Sequence, residues 1–385
     1  MIIEPKVRGF ICTTAHPLGC EESVRRQINY VKRHDKKEGP KKILIIGAST
    51  GYGLASRIAT TYTYGAATLG VMYEKEATKG RTATPGFYNT KAFEVFARND
   101  GYYAKTINQD AFSKETKEKT IQMIRDDLGK IDLVIYSLAA PRRTVEDITY
   151  SSVLKPIKQP FTNRTLDLRT NELSEVTIEA AKEEEIEGTI RVMGGEDWKI
   201  WLQELKKANV LEDGVITIAY SYLGPKITSP IYSEGTIGRA KQHLYQTSLE
   251  LKQELKELHG KAYISVNKAL VTQASAAIPI VPLYISLLYQ VMKKKGLHEG
   301  CIEQMDRLFY ERLVAKEVVT DELGQIRMDD YELQEDVQNE VEKAWNQVSS
   351  DNLKEFADID GYWEDFYHMF GFQYPTIDYS KDVEL

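Results

Sequence analysis

The chain has 385 residues, with 50 Lys and Arg against 57 Asp and Glu, for a formal net charge of −7. Hydrophobic residues make up 42% and charged residues 28%, which excludes a disordered, collagen-like or coiled-coil chain; the mild acidity argues against a general nucleic-acid binder, and no nucleic-acid partner is expected. Cys12, Cys20 and Cys301 are too few, and odd in number, for a disulfide-stapled secreted protein of this length, so a reducing, cytoplasmic setting is expected.

Residues 1–10 carry Glu4, Lys6 and Arg8 and no apolar signal-peptide core. Cys12, His16 and Cys20 have donor chemistry suited to zinc, but a structural zinc takes four ligands and no fourth is local, so no metal is expected. Val24, Ile28 and Val31 stand at helical spacing and predict a short helix over 22–31. The charged segment 32–42, with Gly39-Pro40, reads as a linker.

Short apolar runs at 43–46, 67–73, 102–107, 131–136, 215–220 and 262–266 then alternate with helical patterns such as 113–128 and 241–258. That alternation predicts an α/β, Rossmann-type doubly wound parallel sheet with helices on both faces. It breaks after Pro141. Residues 161–176 read as a hairpin turning at Arg169-Thr170-Asn171 and protruding as an insertion, and 179–187 as a solvated acidic helix face. At Gly194-Gly195 a turn with Trp198 packing beneath it is expected, and His243 reads as a surface or hydrogen-bonded helix histidine. The apolar stretch 274–291 holds Pro279, Pro282 and Gln290, which favours a buried helix or substrate-covering segment over a membrane span. Residues 331–348 read as a surface helix. The expected organisation is a single enlarged domain over 1–385: an N-terminal extension (1–42), a dinucleotide-binding and catalytic core (43–143 and 191–290), an insertion (144–190) and a helical C-terminal extension (291–385).

The first strong strand runs into Gly47-Ala48-Ser49-Thr50-Gly51-Tyr52-Gly53. Glycine is needed where a backbone turns tightly against a diphosphate, and the N–H groups of the following helix then face the phosphates. The second strand ends at Tyr73-Glu74, where a carboxylate accepts bonds from ribose hydroxyls and repels a 2′-phosphate, favouring NADH over NADPH. The fourth ends at Ser137-Leu138-Ala139-Ala140, small enough to let the chain pass a cofactor. After the fifth comes Tyr222, then Tyr232 and Lys241 as Tyr-x8-Lys. A phenol is a poor acid–base group near neutral pH, and a nearby ammonium helps it donate to an oxyanion. Nine residue steps put the two side chains on opposite faces of one helix, so a cooperating Tyr232 must lie on the loop before the helix, with Thr236 as its cap.

With these motifs in place the sequence resembles the trans-2-enoyl-CoA reductases and the enlarged bacterial enoyl-[acyl-carrier-protein] reductases, an expanded branch of the short-chain dehydrogenase/reductase superfamily. The likeness runs nearly end to end, through RGFICTTAHPLGC (8–20), GASTGYGLASR (47–57), YSLAAPRR (136–143), VMGGEDW (192–198), AYSYLGP (219–225), IYSEGTIGRAK (231–241), SVNKALVTQASAAIP (265–279) and HEGCIEQ (298–304). It implies an NADH-dependent reduction of enoyl thioesters in fatty acid synthesis, with hydride added to the β-carbon and the enolate protonated. Tyr232 would be the proton donor, Lys241 would bind the cofactor and tune the phenol, and Tyr222 would contact the thioester. Gly47, Ala48, Ser49, Thr50, Gly51 and Tyr52 would hold the diphosphate, and Tyr73 and Glu74 the adenosine ribose. Asp110 and Ala111 would flank the adenine, Leu138 and Ala139 the adjoining ribose, and Leu270, Val271 and Thr272 the nicotinamide. The apolar stretch 278–288 would cover the acyl chain, and Arg142 and Arg143 would meet coenzyme-A phosphates or an acidic carrier. The resemblance leans towards a monomer. A 3-oxoacyl or carbonyl reductase, and a non-catalytic dinucleotide sensor, are the alternatives at this stage.

Overall fold

The computed structural model describes residues 1–8, 11–272, 275, 278–314 and 316–385. Seven parallel strands form the central sheet: β1 (Lys42–Ile46), β2 (Ala67–Met72), β3 (Ala104–Asn108), β4 (Ile131–Tyr136), β5 (Leu211–Ser221), β6 (Lys261–Val266) and β7 (Ile326–Arg327). Their spatial order is β7-β6-β5-β4-β1-β2-β3, so strand order reverses beside β1. Successive side chains of a strand point to opposite faces. Ile43, Ile45, Leu133 and Ile135 accordingly join one apolar layer, and Leu44, Ile46, Val134 and Tyr136 the other.

Helices α1 (Pro17–Val31), α2 (Gly51–Tyr64), α3 (Pro85–Asn99) and α9 (Cys301–Arg307) supply the first layer. The second is built from α4 (Lys114–Met123), α6 (Glu196–Lys207) and α7 (Thr236–Glu254). Trp198 of α6 is fully buried and its indole N–H donates to Thr217 Oγ1 at 2.9 Å, the packing expected beneath the Gly194-Gly195 turn. Between the strands, α5 (Glu183–Met193) begins four residues into the acidic run at 179–187. Helix α1 starts earlier than its apolar spacing predicts. Pro17 sits in its first turn, where the missing N–H costs nothing, and His16 Nδ1 accepts from the Gly19 amide as the cap.

A third apolar cluster gathers α8 (Val281–Lys295), α10 (Glu335–Gln347), α11 (Leu353–Phe356) and α12 (Ile359–His368) around Tyr232, Leu270 and Val271. The hairpin Phe161–Asp167/Glu172–Ile178 packs into this cluster instead of protruding. Leu166 and Leu168 are buried there, and the Arg164 guanidinium donates to the carbonyls of Trp345 at 2.7 Å and Val348 at 3.0 Å. The predicted surface helix over 331–348 begins at Glu335 and buries Val337, Val341, Ala344 and Trp345, because its apolar stripe faces α8. Of the apolar stretch at 274–291, residues 274, 276 and 277 lie outside the described residues, and the helix runs from Val281. Among the described residues no helix is long and apolar enough to cross a membrane. A second hairpin, Arg142–Val145/Ile148–Ser151, and the two-residue β7 were not foreseen.

The two termini meet where α1 crosses residue 371. An added Cβ at Gly19 would overlap the Gly371 carbonyl oxygen, and His16 N–H donates to Phe370 O at 2.9 Å. Alanine gains about 1 kcal/mol over glycine in a helix interior, whereas overpacking costs about 1–3 kcal/mol. Gly19→Ala is therefore expected to lower stability in urea unfolding; a gain of stability would show that this contact yields freely.

Candidate active site

The carboxyl ends of the parallel strands converge beside the reversal at β1. β1 turns at Gly47 (φ +86°), where an added Cβ would stand 2.7 Å from Ser137 O beyond β4. An added Cβ at Gly53 would overlap Gly47 O, so helix and turn touch backbone to backbone. Gly51 opens α2 at φ +53° with no protein atom within 4 Å of its Cβ direction. Thr50, the residue before α2, makes no side-chain cap bond. The first N–H groups of α2 thus face a glycine-lined opening, a cradle that fits a diphosphate.

The flanking strand ends complete the cradle. Ser49 Oγ donates to Glu74 Oε1 at 2.6 Å, and the Glu74 backbone is paired to the Asn108 side chain at 2.8 and 3.0 Å. Gly86 leaves room for the Glu74 carboxylate, which an added Cβ would strike. Tyr73 is 78% exposed beside it, an open flat ring rather than a core residue. Asp110 Oδ1 accepts from Phe112 N at 3.0 Å, and Ala111 O takes the buried Lys117 ammonium at 2.9 Å, itself paired to Asp197 at 2.8 Å. Leu138 is half-buried and Ala139 exposed past β4. These residues fit an adenosine diphosphate laid across the strand ends.

Past β5, the rings of Tyr222 and Tyr232 meet edge to face with centroids 5.0 Å apart. Tyr232 lies in a turn before α7, as the spacing requires: Gly235 N–H donates to Tyr232 O at 3.0 Å, and Gly238 lets the helix start against Ser233 and Tyr232. Thr236 is not the cap. Gly235 is, and the Thr236 hydroxyl donates to Val153 O at 2.5 Å, tying α7 to the insertion. Lys241 Nζ donates to Tyr220 O at 3.3 Å. Burial holds the Lys241 ammonium down at about 8. Burial first, and the Glu332 carboxylate second, push the Tyr232 phenol well up, so it is protonated throughout the neutral range.

Leu270 and Val271 are buried and Thr272 half-buried beyond β6. Ala269 N–H donates to Glu332 Oε2 at 2.7 Å, and Val271 N–H to Tyr289 Oη at 3.2 Å, which in turn donates to Asp365 Oδ2 at 2.7 Å. Tyr52 Oη donates to Lys268 O at 2.7 Å, joining the first helix turn to this segment. Glu332, Tyr284, Tyr289, Asp365 and Lys268 were not anticipated. Lys268 and Tyr284 stand in segments singled out above without a role of their own, no motif marks the two carboxylates, and these lie more than 60 residues beyond the strand whose end they hold. Arg143 is not available to phosphates: it is buried, paired to Glu196 at 2.6 Å and donating to Arg191 O at 2.7 Å. His243 Nδ1 accepts from Gly195 N at 3.0 Å. Among the described residues no group of three or more His, Cys, Asp and Glu is placed to hold a metal.

Three family models match the chain: the NAD(P)H binding domain of trans-2-enoyl-CoA reductase over 2–79, the trans-2-enoyl-CoA reductase catalytic region over 81–314, and the enoyl reductase FAD binding domain over 320–383. The last segment does not fit a flavin diphosphate. Its glycines serve the protein's own contacts, Gly371 against His16 and Cys20, Gly361 against the Asp358 carboxylate and Gly324 beside Lys252. The chain is 54% identical over its full length to the trans-2-enoyl-CoA reductase [NADH] of Ruminiclostridium cellulolyticum, covering 98% of that protein. It is 56% identical to the enoyl-[acyl-carrier-protein] reductase [NADH] of Cytophaga hutchinsonii, again over 100% of this chain and 98% of the relative. The crystal structure of Treponema denticola trans-2-enoyl-CoA reductase in complex with NAD superposes with a TM-score of 0.96 at 46% identity, covering 100% of this chain and 98% of that one. With a glycine cradle, a Tyr-x8-Lys pair outside one helix and matches from end to end, the chain belongs to the trans-2-enoyl-CoA reductase family.

Proposed function

We infer that the protein reduces the trans-2 double bond of enoyl thioesters with NADH, the carrier being coenzyme A or acyl carrier protein, as the two sets of named relatives have it. The observation that carries this reading is the edge-to-face pair Tyr222–Tyr232, packed with Leu270 and Val271 past the carboxyl ends of β5 and β6. When bound, NADH supplies the hydride that adds to the β-carbon. The chain's residues then manage the charge. As the thioester oxygen gains enolate character, the Tyr232 O–H donates to it and delivers the proton, and Tyr222 packs against the same group. Leu270, Val271 and the apolar side of α8 exclude water. Gly47 to Tyr52 hold the diphosphate, Tyr73 and Glu74 the ribose, Asp110 and Ala111 the adenine, and Leu138 and Ala139 the ribose adjoining the adenine.

We read the chain as one enlarged domain, because β7 of the C-terminal extension extends the same sheet and α9 packs on α2. Three free cysteines support a cytoplasmic enzyme, and the C-terminal helices, covering surface of the core, support a monomer. A preparation that consumes NADH with crotonyl-CoA and not with acetoacetyl-CoA is the expected result; consumption with the ketone alone would make it a carbonyl reductase.

Tyr232→Phe is expected to lower kcat by about 10²–10⁴-fold while the NADH Kd, read by fluorescence quenching, stays within about twofold. An unchanged kcat would move the proton donor elsewhere. Glu74→Ala is expected to cost at least about tenfold of the NADH-over-NADPH preference in kcat/KM, a difference of about 1.4 kcal/mol.

Lys241 gives a stability prediction of its own. Its folded value of about 8 lies below the 10.5 of an exposed lysine. The unfolded chain therefore binds more protons between those two pH values, and stability rises with pH across that window. Below about 8 the full penalty of the buried ammonium is present. Lys241→Met is expected to stabilise the cofactor-free protein at pH 7 by about 1 kcal/mol, discounted for the partial exposure of the side chain. That gain should shrink as unfolding is measured towards pH 10, while turnover falls. A gain independent of pH would assign it to packing alone.

A further inference from the structure

Glu332 lies between β7 and α10, in the C-terminal extension, and is fully buried. Its Oε1 accepts from Tyr284 Oη at 2.7 Å and from Tyr222 Oη at 3.2 Å, and its Oε2 accepts from Ala269 N–H at 2.7 Å. One carboxyl group thus joins four chain segments: its own, α8, the end of β5 and the end of β6. Two of those ends carry the residues read above as the substrate contact and the nicotinamide lining. A carboxyl needed only to pin the Ala269 amide would use one oxygen; here the second receives Tyr284 at 2.7 Å and, at 3.2 Å, Tyr222 as well.

We propose that Glu332 is a positioning residue for Tyr222, fixing the direction of its hydroxyl and tying it in register with the 269–272 segment. The proposal rests on the reading of Tyr222 as the substrate contact. A phenol has one O–H proton, and at Tyr222 that proton is directed to Oε1. Tyr222 therefore presents its ring and oxygen lone pairs to the cleft, and Tyr232 is left as the phenol that donates to the enolate. Lys268, whose Nζ donates to Ala269 O at 2.9 Å, stands on the other side of the same backbone and acts on Glu332 as a compensating positive charge. Asp329, held by Arg327 at 2.7 Å, is the nearby like charge. The device sits in neither the glycine turn nor the Tyr-x8-Lys pair.

Glu332→Gln keeps the size and leaves one acceptor oxygen, so the Ala269 bond and the Tyr222 bond cannot both persist. The test is a double-mutant cycle on the full chain: wild type, Glu332→Gln, Tyr222→Phe and the double variant. NADH oxidation with crotonyl-CoA is followed at enzyme concentrations high enough for residual rates, beside the NADH Kd and thermal unfolding. Glu332→Gln is expected to lower kcat/KM about tenfold in the wild-type background, equivalent to about 1.4 kcal/mol, and by less than about twofold in Tyr222→Phe, with the NADH Kd within about twofold in both. Equal losses in the two backgrounds would overturn the proposal and assign Glu332 to the backbone alone, and so would no loss at all. Should Glu332→Gln fail to fold, Tyr284→Phe removes the competing donor on Oε1 and leaves the carboxyl intact. A change in kcat/KM that vanishes in Tyr222→Phe supports the role, and one that persists there, or no change, overturns it. A wild-type protein inactive on every enoyl thioester would instead fail before any variant is compared; that result removes the reductase reading and this role with it.

Discussion

A parallel sheet buried on both faces consumes its backbone hydrogen bonds internally, except at the strand ends. That constraint decides where chemistry is available. Between the helix layers Leu44, Ile46, Leu133 and Ile135 have no exposure and no function beyond packing. At the carboxyl ends the chain must leave the sheet, and its amides and carbonyls need other partners. Beside β1 the order reverses, so the loops after β1 and β4 separate to opposite faces and leave a crevice. Gly47 and Gly53 let the first turn lie close enough for α2 to aim its N-terminus into it. The other strand ends are arranged around that opening.

A plain sheet of this kind would leave its β5 and β6 ends open to water. Here the third apolar cluster closes over them, with the 161–178 hairpin, α8 and the C-terminal helices as its walls. The wall also holds backbone. Ala269 and Val271, two residues apart, both send their N–H groups into this wall, where Glu332 and the Tyr289–Asp365 pair receive them. The C-terminal extension therefore sets the backbone of the segment against which the nicotinamide is read to lie. Its two carboxyls are both driven towards their neutral forms by burial, and their hydrogen-bond donors and Lys268 oppose that drive.

What could be read in the sequence follows the same division. The run Ile43 to Ile46 ending in Gly47 is a local pattern, because strand burial and turn chemistry each need particular residues in particular order. The loop position of Tyr232 was likewise legible, since helical periodicity forbids it a place on α7 beside Lys241. Other features are set by partners distant in the chain. Leu166 and Leu168 look like residues of a free hairpin until α8 is packed against them. Arg143 reads as a phosphate ligand until Glu196 takes it. Helix α1 begins before its apolar spacing does, because Pro17 suits a first turn and Gly19 the crossing with Gly371. Glu332 stands in Asp329-Asp330-Tyr331-Glu332, an ordinary acidic surface stretch by composition, and only the fold turns it inward.

The electrostatics of the site bear on how the phenol works. A lysine beside a tyrosine is usually taken to ease the phenol towards its anion. Here burial dominates both groups and drives each towards neutrality, raising Tyr232 and lowering Lys241 to about 8. For a donor in conjugate reduction that is the useful direction. The thioester oxygen is a weak base before hydride arrives and a much stronger one as the enolate forms. A neutral phenol in a dry site therefore binds the ground state weakly and the developing charge strongly, and that difference lowers a barrier where uniform binding does not. With Tyr232 as the proposed donor, the low-dielectric walls that keep its proton in place would also strengthen its bond to the enolate oxygen at the moment the charge appears. On this account the apolar C-terminal cover contributes to the chemistry as well as to the binding of the acyl chain.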